Sequence, residues 1–196
     1  MLPRSTIMDP NSFQPGDAAT LDEKTRRLTD RRAVLGGAYR LFYRNPVHLV
    51  RGQGQYLWDA EGTKYLDVYN NVASIGHCHP AVVAAVHEQM QALNTHTRYL
   101  HERILDYSDA ILATMPAPIG RVMYMCTGSE ANDLAIRIAR APTGGTGLIV
   151  TREASHGTSA LTSGASPALV GAQPVDAPTW LVPAPASPRV DPPYPG

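Results

Sequence analysis

Cysteine is nearly missing from these 196 residues: only Cys78 and Cys126 occur. That is too few for a disulfide scaffold; both stand in contexts that read as buried, and a reducing cytoplasm is the expected compartment. A net charge is missing too. Seventeen Lys and Arg against seventeen Asp and Glu give a formal charge of +0, so no field points to nucleic acid or to an anionic membrane. The basic cluster RRLTDRR at 26–32 lies among Asp22, Glu23 and Asp30 and reads as a solvated helix face. No apolar run nears the roughly 20 residues that span a bilayer, and MLPRSTIMDP at the start lacks the apolar core of a signal peptide. No membrane segment is expected.

Several motifs are absent as well. No GxxxxGK[ST] occurs, and GGTG at 144–147 lacks the spacing of a dinucleotide fingerprint and leads into an apolar run. The serines of TGSEA and GTSAL lack the flanking glycines of a nucleophile elbow. HCH at 77–79 is the one metal-like cluster, but successive residues of an extended segment point opposite ways and no second cluster has ligand spacing. Neither a P-loop, a Rossmann, a hydrolase nor a metal reading is supported.

What is present suits an α/β protein. With 43% hydrophobic and 17% charged residues the chain has the material for a sizeable core. Residues 1–20, polar with Pro10 and Pro15, read as a loose leader before a helix over 21–40. Residues 46–70 alternate apolar and polar around Gly52, Gly54 and an Ala-Glu-Gly turn at 60–62, which predicts a small antiparallel meander and closes a segment at 21–75. A segment over 76–166 follows. Pro80 opens a helix carrying Val82, Val83, Val86, Met90 and Leu93, and a second helix is expected over 98–114 before Pro116 and Pro118. A strand at 121–126, a helix at 129–140 and a strand at 148–151 make a βαβ unit, hence a parallel sheet with a right-handed crossover. From Pro167 to 196 there are nine prolines, which taken alone read as linker or coil.

The informative stretch is MCTGSEAND, Met125 to Asp133, at the strand-to-helix junction. A helix N-terminus offers unpaired amides and partial positive charge, Gly128 allows close approach of a ligand, and the Ser129 hydroxyl adds a donor. A phosphate suits it. Thr127 with Glu130 also fits a capping box, in which each side chain satisfies the other's backbone amide. The two readings are compatible, since a capped helix still exposes other amides.

Together these residues resemble the class III aminotransferases of the fold-type I pyridoxal-phosphate enzymes. GQYLWDAEGTKYLDVYNNVASIGHCHPAVVAAVHEQMQALNTHTRYLHE (54–102) is similar to that family's N-terminal block, CTGSEANDLAIRIAR (126–140) to its phosphate-binding turn and helix, and REASHGTS (152–159) to its aromatic-His-Gly segment. The likeness runs over about residues 25–165, and the proline-rich end resembles the family's continuation through Trp180, Pro183, Pro185, Asp191, Tyr194 and Gly196. NNVASIGHCHP with TRYLHE looks most like the group of alanine-glyoxylate type transaminases and ethanolamine-phosphate phospho-lyases.

The resemblance implies a fold: an N-terminal helix and β-meander, then the start of the mainly parallel large-domain sheet. It implies pyridoxal 5′-phosphate as cofactor, with Gly128 and Ser129 on its phosphate, Ser155 and His156 at its ring, and Glu130 as a cap behind them. It implies an amine donor and a keto acid as substrates and a homodimer in the complete enzyme. Two departures stand out. Ser155 replaces the aromatic that the family stacks on the ring, at a cost of about 0.5–1.5 kcal/mol of ring contact. The Schiff-base lysine, the aspartate at the pyridine nitrogen and the small C-terminal domain lie beyond residue 196 in the family, and the lysines here, Lys24 and Lys64, match neither. The expectation is an N-terminal fragment of an aminotransferase. The rivals are an amino-phospholyase of the same family and a truncated, non-catalytic paralogue serving subunit association. An unrelated nucleotide-binding domain is disfavoured, since no ribose or Mg signature accompanies the turn.

Overall fold

The computed structural model describes residues 11–36, 39–69, 73–152, 154–168 and 178–183. The first half of the expected leader and Pro185, Asp191, Tyr194 and Gly196 lie outside these. The described residues form two compact units, one up to Ile104 and one from Leu105 onward.

In the first unit the end of the leader is not loose: Pro15–Thr20 forms a 3-10 turn closed by the Gln14 amide donating to Asp17. Helix α1 (Glu23–Arg31) begins where the Asp22 carboxylate accepts from the Thr25 amide at 3.0 Å; the Thr25 side chain, first, and that amide hold the Asp22 carboxyl below its ordinary range. It is shorter than the expected 21–40. A 3-10 turn at Arg32–Val34 ends it, just before the consecutive glycines 36 and 37, each costing about 1 kcal/mol in a helix.

The meander forms as the alternation predicts, with β1 (Leu49–Gln53), β2 (Tyr56–Asp59) and β3 (Lys64–Leu66) in antiparallel order. Trp58 sits opposite both Arg51 and Lys64. The Arg51 guanidinium lies 3.6 Å from the Trp58 ring centre and the Lys64 ammonium 3.6 Å from that of Tyr56, so both cations are held over aromatic faces. The β2–β3 turn is built on Asp59, which accepts from the amides of Glu61 and Thr63 and from the Tyr65 hydroxyl at 2.7 Å. The Tyr65 hydrogen bond, first, and those amides hold the Asp59 carboxyl below its usual range, and the same bond pushes the Tyr65 phenol up.

A pH window follows. The lowered carboxyl contributes stability above its unfolded value, about 4, which is lost as pH falls through the folded value. The raised phenol contributes stability below about 10, lost as pH rises past its folded value. In a Trp180→Phe background, Trp58 fluorescence should report a hairpin most resistant to denaturant between those limits. Tyr65→Phe should flatten the alkaline flank and shallow the acid one; an unchanged profile would show that the bond does not form in solution.

Helix α2 (Pro80–Ala92) starts on Pro80, whose missing N–H costs nothing at the first helical position. Its apolar residues are uncovered in this chain: Val82, Val86 and Met90 are 46%, 52% and 68% exposed. Helix α3 spans Glu102–Leu112 rather than 98–114.

In the second unit the expected strand at 121–126 does not form: the segment belongs to no ladder among the described residues. A strand exists only through pairing, and none of the described residues pairs with this one; instead Tyr124 is held by its ring stacked on Tyr107 and its hydroxyl 2.9 Å from Ser108. Helix α4 (Gly128–Thr143) follows, ended by Gly144 in the left-handed region. Strand β4 (Leu148–Thr151) pairs in parallel with β5 (Thr179–Val182), so the parallel sheet is present but its second strand comes from the proline-rich tail that reads alone as coil. The Trp180 ring lies where a side chain on Gly147 would stand, 2.6 Å from an added Cβ. A short helix α5 (Ala160–Ser163) sits over a small buried cluster of Thr162, Ala165 and Ser166. Cys78 and Cys126, read as buried, are both exposed, because the apolar segments around them find little cover within this chain. Among the described residues no helix is long and apolar enough to cross a membrane.

Candidate functional site

Thr127 is the N-cap of α4. Its hydroxyl accepts from the Glu130 amide at 3.1 Å, and the next amide, Ala131, already bonds the Thr127 carbonyl at 3.0 Å. The Glu130 carboxylate takes the Thr127 hydroxyl at 3.4 Å, so the cap is the Thr half of a capping box. Gly128 and Ser129 therefore present the amides ahead of the first intrahelical bond, the groups a helix leaves to an external acceptor. Glu130 spends its amide on the cap and cannot offer it to a ligand as well. A Cβ on Gly128 would meet nothing within 4 Å. The space before this helix end is open.

The loop 154–159 lies against that end through polar contacts to one face of α4. Ser129, Asn132 and Asp133 are three and four residues apart and so share a face. The Ser129 hydroxyl accepts from the Thr158 amide at 3.1 Å, the Asn132 amide donates to the His156 carbonyl at 2.8 Å, and Asp133 accepts from the Ser159 hydroxyl at 2.8 Å. Because the Ser129 oxygen is used as an acceptor, its own proton remains available to donate to an anion. Gly157 lets the loop come so close: its φ is +134, and a Cβ there would stand 2.5 Å from the Ser129 hydroxyl. On the other side the His156 amide donates to Ser166 at 2.8 Å.

These contacts bring Gly128, Ser129 and His156 into one neighbourhood, with Ser155 exposed beside them. The fit to a phosphate-bearing cofactor rests on two features. One is the unfilled space at Gly128. The other is the His156 Nε2, a buried atom without a hydrogen-bond partner among the described residues; a buried polar atom left so costs about 1–3 kcal/mol, which a ligand's polar group would relieve. A separate concavity of about 370 Å³ lies in the first unit and includes His77 and Cys78. There His77 donates to or accepts from Asp67 at 2.7 Å and its backbone pairs with Gly54. The sequence reading gives Asn132, Asp133 and Gly157 no role of their own. One signal for the first two was available: Asn and Asp are poor formers inside a helix, and side by side they suggest work done by their side chains.

The family pattern described as aminotransferase class-III matches residues 42–184. An alanine–glyoxylate aminotransferase 2-like protein of Drosophila melanogaster is 45% identical over 135 residues, 68% of this chain and 27% of that protein. A phospholyase from Arthrobacter, solved in complex with phosphoethanolamine, is 39% identical with a TM-score of 0.76 over 84% of this chain and 39% of that one. The taurine:2-oxoglutarate aminotransferase of Bifidobacterium kashiwanohense, solved with PLP and glutamate, shares the fold at 21% identity and a TM-score of 0.66, over 82% of this chain and 38% of that one. This chain thus spans between 27% and 39% of the length of these proteins. On the strength of the matched span, the chain belongs to the class III aminotransferases, fold-type I enzymes that use pyridoxal 5′-phosphate.

Proposed function

We propose that this chain supplies the phosphate cradle and ring-side loop of an enzyme that moves an amino group from an amine donor to a keto acid. The observation that carries it is the open N-terminus of α4 with the loop 154–159 tied across it. Gly128 and Ser129 would hold the cofactor phosphate through their amides, helped by the helix dipole and by the Ser129 hydroxyl. His156, through its unpartnered Nε2, would meet a polar group of the ring, and Ser155 would face the ring itself. Pyridoxal phosphate, when bound, supplies an electron sink for the bond changes at the amine-bearing carbon. Lys24 pairs with Glu61 at 3.1 Å and Lys64 is held over Tyr56. We read the chain as one part of a longer, cytoplasmic, homodimeric enzyme. The uncovered apolar residues of α2 support a partner surface.

The amino-phospholyase reading is favoured by one observation, the likeness to a phospholyase solved with phosphoethanolamine. A longer chain assayed with phosphoethanolamine alone, and with an amine donor and keto acid, separates the two by whether inorganic phosphate or a new amino acid appears.

The cradle itself is testable on this chain. 4′-Deoxypyridoxine 5′-phosphate has no aldehyde to react with Lys24 or Lys64, so its fluorescence reports the pocket alone. It should bind, and unphosphorylated deoxypyridoxine should not. Equal binding of the two would remove the phosphate from the reading. Ser155→Tyr should tighten the phosphorylated probe by about 1 kcal/mol, the worth of one ring stack; unchanged or weaker binding would mean that another group already covers that face.

A further inference from the structure

We propose that Asn132 is a positioning residue for the cofactor ring: by donating to the His156 carbonyl it fixes where the His156 imidazole stands relative to the phosphate cradle. The inference rests on the cradle reading above and adds a residue to it that touches no ligand. Asn132 lies on the α4 face shared with Ser129, and its amide reaches the backbone of His156 at 2.8 Å. Ser129 and Asp133 bind the same loop at Thr158 and Ser159, so the three bonds bracket Gly157 on both sides. Of the three, only the Asn132 bond falls on the residue whose ring atom is buried and unpartnered among the described residues. His156 is gripped at its amide by Ser166 and at its carbonyl by Asn132, which fixes the stretch of backbone from which its imidazole projects.

The choice of side chain supports this. Asn is a poor helix former, and in the second turn of α4, at an exposed position, an Ala would serve the helix better. A single exposed hydrogen bond adds little to stability, so what Asn132 contributes is placement of the loop. Only a side chain that donates can do it, because the partner is a carbonyl oxygen. Asp, its near-isostere, would set a carboxylate against that oxygen.

The test measures two affinities on the 196-residue chain: for 4′-deoxypyridoxine 5′-phosphate, which reads phosphate and ring together, and for inorganic phosphate as its competitor, which reads the cradle alone. Asn132→Ala and Asn132→Asp should each weaken the phosphorylated probe by roughly 3- to 10-fold, the range of one hydrogen bond, and leave inorganic phosphate within about twofold. The His156 imidazole resonances of the ligand-bound protein should shift in both variants. Ser129→Ala, in parallel, should weaken both ligands. If the Asn132 variants weaken both ligands alike, or neither, the positioning role is wrong. If Ser129→Ala changes neither ligand, or wild type binds neither, the cradle reading itself is wrong and the inference falls with it.

Discussion

Gly157→Ala is expected to abolish binding of the phosphorylated probe and to lower the melting temperature of the second unit. At φ +134 the backbone is in a region that L side chains avoid, at a cost of roughly 1–3 kcal/mol. The added methyl would also stand 2.6 Å from the Ser129 Cα, a backbone atom of α4 that has no rotamer to escape into. Overpacking of that kind costs about 1–3 kcal/mol more. The cheapest relief is for the loop to lift off the helix, and Thr158 then loses Ser129 while His156 loses Asn132. Gly128→Ala is the matching control. Its Cβ would meet no protein atom within 4 Å and its φ is ordinary, so the helix should form as well or better, by up to about 1 kcal/mol. Yet that methyl would occupy the space before the helix end, so phosphate affinity should fall without loss of stability. Wild-type melting and binding in Gly157→Ala would show that the loop does not lie against Ser129 in solution.

The chain alone, saturated with pyridoxal phosphate, is expected to show no transaminase turnover. The reaction needs an amine that holds the cofactor and then moves a proton, and a desolvated lysine normally does both. Lys24 is 55% exposed in an ion pair, and Lys64 is held against two aromatic rings; both side chains are already engaged by their own neighbours. Turnover should appear when the downstream part of a class III relative is joined to this chain. The measurement is conversion of the cofactor's aldehyde to its amine by an amine donor, for the short chain and the joined one. Conversion by the short chain above that of free cofactor, abolished by Lys24→Ala or Lys64→Ala, would identify a lysine set aside here.

The two predictions draw on features of different legibility. The α4 N-terminus was readable, because Thr127, Gly128 and Glu130 at the start of the helix expected over 129–140 are local signals; so were the Pro80 start of α2 and the meander. The strand at 121–126 and β5 were misread for one reason. Whether a short extended segment becomes a strand depends on a neighbour far away in sequence: TWLV at 179–182 has one in β4, whereas RVMYMC has none among the described residues. Burial of Cys78 and Cys126 failed likewise, since apolar context gives a tendency to be covered and not the cover itself. Of the site, Gly128, Ser129 and His156 carried the family's pattern, but the hold of α4 on the loop lies in contacts between residues that no motif spacing connects.

The bonds that tie the loop to α4 join residues 29, 24 and 26 apart. Closing loops of that length is quick and costs little entropy compared with long-range pairing. At about 5–20 residues per second, a ribosome makes the stretch from Thr127 to Ser166 within a few seconds. All partners of the proposed cradle have been synthesised once Ser166 is in place. The contacts between α4 and the loop 154–159 can therefore form while the chain is still being made, and a mutation such as Gly157→Ala should act on nascent chains as well as on finished ones.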